Sequence, residues 1–175
     1  ARALLRGRAG VRVEITRARL DRLRQLDGQI HTLAERITAV VASTGTSLLE
    51  IRGVGPLTAG RILGETGDVR RFRDRNAYAA GNGTAPIPVS SGRTDRYRLN
   101  RAGNRRLNEA IHTVALVQSR GSCPGRAFLD RKKAAGKTSR EAMRSLKRRL
   151  SDVIYQALLV DQRAVPAASR SCLTT

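Results

Sequence analysis

Leu23, Leu26, Ile30, Leu33, Ile37 and Val40 recur at a 3-4-3-4-3 spacing, with charged or polar residues between them. Steps of three and four place all six on one stripe of an α-helix and on no single face of a strand. The pattern therefore predicts one long helix over residues 11–43. Its stripe amounts to about two and a half heptads, enough for an antiparallel hairpin or a dimer contact, and equally suited to packing on its own domain. Arg12, Arg17, Arg19, Arg22 and Arg24 crowd its first half, so that end also suits phosphate.

After the helix, Ser-Thr-Gly-Thr-Ser at 43–47 breaks the pattern, with Ser47 as the expected cap of the next element. The run SLLEIRGVGPLTAGRILGETG then reads as a helix-hairpin-helix over 47–66. Gly53 and Gly55 let the backbone approach a phosphate closely, and Pro56 suits a first helical position because it has no N–H to lose. Amides at the start of the second helix would face the anion, aided by the helix dipole. Thr58 and Arg61 can add side-chain contacts. The alternative is a glycine-rich helical corner with no ligand.

A short helix is expected over 72–80, ended by Gly81 and Gly83. Residues 84–100 contain two prolines, lack helical periodicity, and are expected to be extended or a short β-ribbon. Helices follow over 102–119, where Leu107, Ala110, Ile111, Val114, Leu116 and Val117 form the apolar set, and over 126–134. The last runs over 138–160, with Ser139 as cap and Ala142, Leu146, Leu150, Val153, Ile154, Ala157 and Leu158 inward. The expected architecture is mainly α: a coiled-coil-like connector (1–45), a helical domain with one irregular loop (46–160) and a flexible tail (161–175).

Charge narrows the partners. Lys and Arg number 34 against 14 acids, a formal net charge of +20. So one-sided a surface calls for a polyanion, and the arginine excess favours bidentate phosphate and guanine-edge contacts. Aromatic residues make up only 3% of the chain, which argues against base-stacking platforms of the RNA-recognition or OB type. Cys123 and Cys172 form neither a metal site nor a disulfide framework. No apolar run reaches a membrane span and no signal-peptide pattern opens the chain, so a cytoplasmic protein with no membrane partner is expected. The chain begins without an initiator Met and reads as though entered mid-protein.

The acids are scattered, with no pair at a spacing that would coordinate Mg²⁺. Asp68 and Asp74 stand among arginines and are better read as caps or ion-pair partners. His31 and His112 lie on helical segments and are better read as structural or surface residues than as bases. What remains is the stretch APIPVSSGRTDRYRLNRAGNRR at 85–106, where Arg93, Arg96, Arg98, Arg101, Arg105 and Arg106 follow a Ser-Ser-Gly corner. A phosphodiester attacked by a serine hydroxyl gains charge on its non-bridging oxygens, and arginines held there stabilise that state. A covalent phosphoserine conserves the energy of the broken bond for rejoining. The plain alternative is a Ser-Ser-Gly turn leading into a phosphate-binding ribbon.

The ordered motifs Gly53-Val54-Gly55-Pro56-Leu57-Thr58-Ala59, Ala85-Pro86, Ser91-Gly92-Arg93, Arg101-Ala102-Gly103-Asn104 with Leu107, and Gly136-Lys137 carry a resemblance over residues 47–155. The chain resembles the C-terminal domain of the insertion-sequence transposase family related to the Piv DNA invertase, which includes the bridge-RNA-guided recombinases. That resemblance implies that Ser91 is the nucleophile, with Ser90 as the neighbouring candidate. Arg93, Arg96, Arg98, Arg101, Asn104, Arg105 and Arg106 are expected to lie along nucleic acid, together with Gly53, Val54, Gly55, Thr58 and Arg61 of the glycine corner. The resemblance further implies an upstream RuvC-like acidic domain, outside this sequence, that holds Mg²⁺. No cofactor is expected within this chain. DNA, a guide RNA and a second copy met through the N-terminal helix are the implied partners. One departure is AGNGTAP, where Asn82 follows Gly81 and Thr84 follows Gly83; the family has a bulky apolar residue after the second glycine. Two functions stay open: the serine-bearing part of a transposase, inactive alone, or a non-catalytic helix-hairpin-helix binding module.

Overall fold

The computed structural model describes residues 10–91, 94–98, 100 and 102–164, the side chains of 89–91 and 94–97 excepted. The chain divides into two compact units, residues 1–40 and 41–175. The first is occupied by helix α1 (Val11–Ser43), whose bounds are those the heptad spacing predicts. The six stripe residues from Leu23 to Val40 are all exposed, so the stripe is not the inside of a packed domain. Local pairs such as Asp21–Arg24 at 2.8 Å decorate the helix surface and contribute little individually.

The second unit is a helical domain built on α6 (Ser139–Ala164). Around it stand α2 (Pro56–Thr66), α3 (Arg75–Gly81), α4 (Arg105–Gln118) and α5 (Pro124–Ala134), with single 3₁₀ turns at Ser47–Glu50 and Val69–Arg71. Helix α6 packs on α3, α4, α5 and both 3₁₀ turns, while α2 packs on α4. Leu48, Ile62, Val69, Tyr78, Leu107, Ile111, Val114, Leu146 and Ile154 are almost fully buried between them. Tyr78 holds the α3 side of this core, edge-on to Phe72 at 5.1 Å and tilted against Tyr155 at 5.4 Å.

Two caps fall one residue before the expected serine, and α3, α4 and α5 begin at Arg75, Arg105 and Pro124 rather than at 72, 102 and 126. Thr46, not Ser47, caps the first 3₁₀ turn by accepting from the Leu48 amide. Thr138, not Ser139, begins α6: its amide donates to Glu141 Oε2 at 2.9 Å and its hydroxyl accepts from the Glu141 amide. This reciprocal pair is a capping box, which needs an acid three residues on. Ser139 has no acid at that distance; Thr138 has Glu141. Asp74 caps α3 through the Asn76 and Ala77 amides. Of the expected apolar sets, Leu116, Val117 and Val153 are exposed, because each falls off the buried arc that its helix presents.

Helix α6 also overruns the boundary expected at 160. Asp161 accepts from the Thr46 hydroxyl at 2.6 Å and the Ser47 amide at 3.0 Å, and Gln162 donates to Asp68 Oδ1 at 3.0 Å. These long-range bonds hold residues 161–164 in the helix; the remainder of the expected tail lies outside the described residues. Strands β1 (Ile87–Ser91) and β2 (Thr94–Arg98) form an antiparallel two-stranded ribbon, with Ile87 opposite Arg98 and Ser91 opposite Thr94. The expected extended segment is therefore a hairpin.

Candidate nucleic-acid interface

The Gly-Val-Gly corner connects the first 3₁₀ turn to α2. Gly53 takes φ +91°, and a Cβ there would meet Val117 Cβ at 3.2 Å and the Val114 carbonyl at 3.3 Å. Its glycine identity is thus demanded by backbone conformation and by contact with α4. Val54 is buried, and Gln118 Nε2 donates to the Arg52 carbonyl at 2.8 Å, tying the corner to the end of α4. Gly55 is different. It is exposed at ordinary negative φ, has open space around it, and precedes a helix with Pro56 in its first turn and no side-chain cap. The expected first arm of the hairpin is a single 3₁₀ turn rather than a helix. Thr58 is half-buried beside this start, and Arg61 pairs with Glu109 at 3.2 Å on the surface.

The ribbon rises from a tightly built base. Gly83 takes φ +74°, and a Cβ on Gly103 would fall 2.2 Å from the Gly83 nitrogen. The two backbones touch, so the Arg-x-Gly-Asn motif needs its glycine for packing. Asn104 follows as the cap of α4: its Oδ1 accepts from the Leu107 amide at 3.0 Å, its own amide donates to the Gly81 carbonyl at 2.7 Å, and its Nδ2 donates to Glu65 at 2.7 Å. Both ends of that side chain are occupied within the protein. Glu65 also pairs with Arg106 at 3.5 Å. The Asn104 bond, then Arg106 and Arg61, hold its carboxyl below the usual range.

Asn82, where the resemblance showed a departure, is fully buried. Its Nδ2 donates to Ser151 Oγ at 2.7 Å, and its Oδ1 accepts from the Thr84 amide and hydroxyl at 3.0 and 2.6 Å. The Asn82 carbonyl accepts from Asn108 Nδ2 at 2.8 Å, and Asn108 Oδ1 in turn accepts from Lys147 Nζ. A polar network thus runs from α6 under the base of the ribbon.

By register, positions 91, 96 and 98 share one face of the ribbon, and position 90 falls on the other. Arg98 is exposed. Arg93 and Arg101, and the side chains of Ser90, Ser91 and Arg96, lie outside the described residues. Beside the ribbon base opens a groove of about 690 Å³ between Thr84–Pro86, α5 and α6. Its lining includes Arg98, Lys132, Lys137, Arg144, Arg148 and Arg149, with Lys147. Its two carboxylates are engaged, Glu141 in the capping box and Asp152 with Arg148. A smaller pocket of about 530 Å³ adjoins it at Gly83 and Lys147 and is lined by Asn100, Arg105, Asn108, Glu109 and His112.

The expected residues are therefore not one constellation. Arg98 and Arg105 stand at the two cavities, Gly55, Thr58 and Arg61 belong to the α2 start, and Gly53, Val54 and Asn104 serve packing or capping. The basic wall of α5 and α6 was missed, apart from Lys137. Its signal was present in RKK at 131–133 and in Lys147, Arg148 and Arg149, which share a helix with the apolar core positions. Among the described residues no group of His, Cys, Asp and Glu comes together to hold a metal ion. The described acids thus do not fit a Mg²⁺ site. No described helix is long and apolar enough to cross a membrane.

Comparison with known proteins joins these features. Residues 45–130 match the Transposase IS116/IS110/IS902 family. The chain is 32% identical over 112 residues to the insertion element IS116 44.8 kDa protein of Streptomyces clavuligerus, covering 63% of this chain and 28% of that protein. It is 33% identical over 113 residues to the insertion element IS900 42 kDa protein of Mycobacterium paratuberculosis, with the same coverage of 63% and 28%. Over 139 residues it is 30% identical to the insertion element IS110 43.6 kDa protein of Streptomyces coelicolor, covering 79% of this chain and 33% of that protein. The chain thus spans a third or less of the length of these relatives. The segment that matches this family, residues 45–130, holds the Gly-Val-Gly corner, the ribbon, α4 and most of α5.

Proposed function

We propose that this chain is the serine-bearing part of an insertion-element transposase. It grips DNA backbone along the ribbon and the α5–α6 groove and supplies Ser91 as the nucleophile of strand exchange. The observation that carries this reading is the family match across a segment whose ribbon sets position 91 on the face of positions 96 and 98. Ser90, on the opposite face, is the weaker candidate by register.

In the proposed step the Ser91 hydroxyl oxygen attacks the phosphorus of a DNA phosphodiester. A serine–phosphorus ester bond forms, the bond to one sugar oxygen breaks, and the serine proton ends on that leaving oxygen. Reversal by another strand's hydroxyl rejoins DNA with no outside energy source. Arg96 and Arg98, with Arg93 and Arg101 adjacent in sequence, would hold the non-bridging oxygens. The uncapped start of α2, with exposed Gly55, suits a second backbone contact of the helix-hairpin-helix kind that carries no base specificity. Mg²⁺ chemistry, where the reaction uses it, belongs to the acidic domain that the resemblance places elsewhere in the full protein. A guide RNA on part of the basic surface, and a second copy along the exposed stripe of α1, complete the proposal.

The competing reading is a nucleic-acid-binding module without chemistry. The structural duties of Gly53, Gly103 and Asn104 favour it to this extent: those motif residues are explained without catalysis. Ser91→Ala in the full-length protein separates the two. It is expected to leave DNA binding within about two-fold, below about 0.4 kcal/mol, while abolishing strand exchange and the covalent protein–DNA adduct seen on denaturing gels. A Ser91→Ala protein that still recombines DNA overturns the assignment.

A further inference from the structure

Among the described residues, Lys147 is the one charged side chain in the buried set, at 9% exposure. A buried ammonium is costly to desolvate and is ordinarily offset by a carboxylate. Lys147 has none among the described residues: its sole hydrogen bond is to the amide oxygen of Asn108. It also lines both cavities, the basic groove and the smaller pocket behind the ribbon base. In that smaller pocket His112 Nδ1 is buried without a partner. The pocket's one carboxylate, Glu109, is paired with Arg61. An ammonium without a carboxylate and an imidazole nitrogen without a partner thus belong to residues that line one cavity, whose own acid faces another partner.

We infer that Lys147 and His112 form an anion site that seats one phosphodiester group of nucleic acid beside the base of the ribbon. The phosphate would take the place of the missing carboxylate: Lys147 Nζ donates to one oxygen, and His112, in the tautomer protonated at Nδ1, donates to another. Arg105 borders the same pocket and can face the anion's outer side. Burial, followed by the Lys147 charge, pushes His112 below its usual range, and burial pushes Lys147 down. Both shifts reflect cationic forms that have lost water. The inference rests on the proposed nucleic-acid reading for the identity of its ligand, but the anion site itself does not.

The test uses the 175-residue chain with a fluorescent DNA duplex, followed between about 50 and 200 mM salt. Lys147→Met, which keeps length and removes charge, is expected to keep or raise the thermal midpoint, weaken binding by about ten-fold at the low-salt end, and flatten the log–log salt slope by about one. His112→Glu, which gives Lys147 an internal counter-ion on the half-exposed face of α4, is expected to fold and to lose affinity to a similar extent. If both variants fold and bind with the parent slope, the site is overturned while the proposed function stands. If Lys147→Met fails to fold, His112→Glu decides alone by the same slope. If the parent chain binds no duplex, the proposed DNA contact fails instead. Inorganic phosphate then judges the site: it should raise the midpoint of the parent and not that of Lys147→Met, and equal shifts in both overturn it.

Discussion

Asn82 shows how a polar turn residue can be built into a core. Next to Thr84, which stands where the related pattern has a bulky apolar side chain, this domain buries the Asn82 amide and ties it to Ser151 and Thr84. A satisfied buried amide is specific, and it becomes costly once a partner is lost. Asn82→Leu should therefore destabilise the domain by about 2 kcal/mol, because the buried Ser151 Oγ loses its donor and the Thr84 hydroxyl its acceptor. Adding Ser151→Ala should recover about half of that loss, since one orphan is then removed with its partner. Denaturant midpoints of the two single variants and the double variant check this. Strict additivity would mean that the pair does not interact. None of this was legible from the sequence, where Asn-Gly reads as turn chemistry and says nothing of what lies beneath.

At the scale of elements the sequence was informative in proportion to its periodicity. The heptad spacing located both ends of α1, and the apolar sets located α4 and α6. Caps were displaced by a single residue at Thr46 and Thr138, because the deciding partner, Leu48 or Glu141, had to be weighed against a neighbouring serine of equal propensity. The end of α6 was out of reach, since Asp161 is held by Thr46 and Ser47 more than a hundred residues away in sequence. The Gly-Val-Gly corner was found, but its two glycines were given one role when they have two. Gly53→Ala places a Cβ at positive φ against α4 and should cost about 1–3 kcal/mol of stability. Gly55→Ala meets nothing and should unfold with the parent. If the corner touches phosphate, Gly55→Ala weakens DNA binding at unchanged stability; a Gly55→Ala chain that binds like the parent restricts the corner to a structural role.

The whole molecule combines an excess of twenty positive charges with a core that lies entirely in residues 41–158. Neither fact depends on the other. Lys147 apart, the described charges sit on the surface, where they set affinity and salt dependence rather than the fold, and the described core begins at Val41. A fragment of residues 41–164 should therefore unfold as one cooperative unit, with a midpoint within a few degrees of the full chain. Differential scanning calorimetry decides this, and a broad transition would show that α1 is needed to fold the domain. The same fragment tests what the exposed stripe of α1 does. Six apolar side chains on one open face are expected to join copies of the chain rather than stay in water. Light scattering should then report a larger species for the full chain, dissociating on dilution, and a monomer for the fragment at every concentration. Identical masses per chain in both would remove α1 as the assembly element and leave the ribbon domain to act alone.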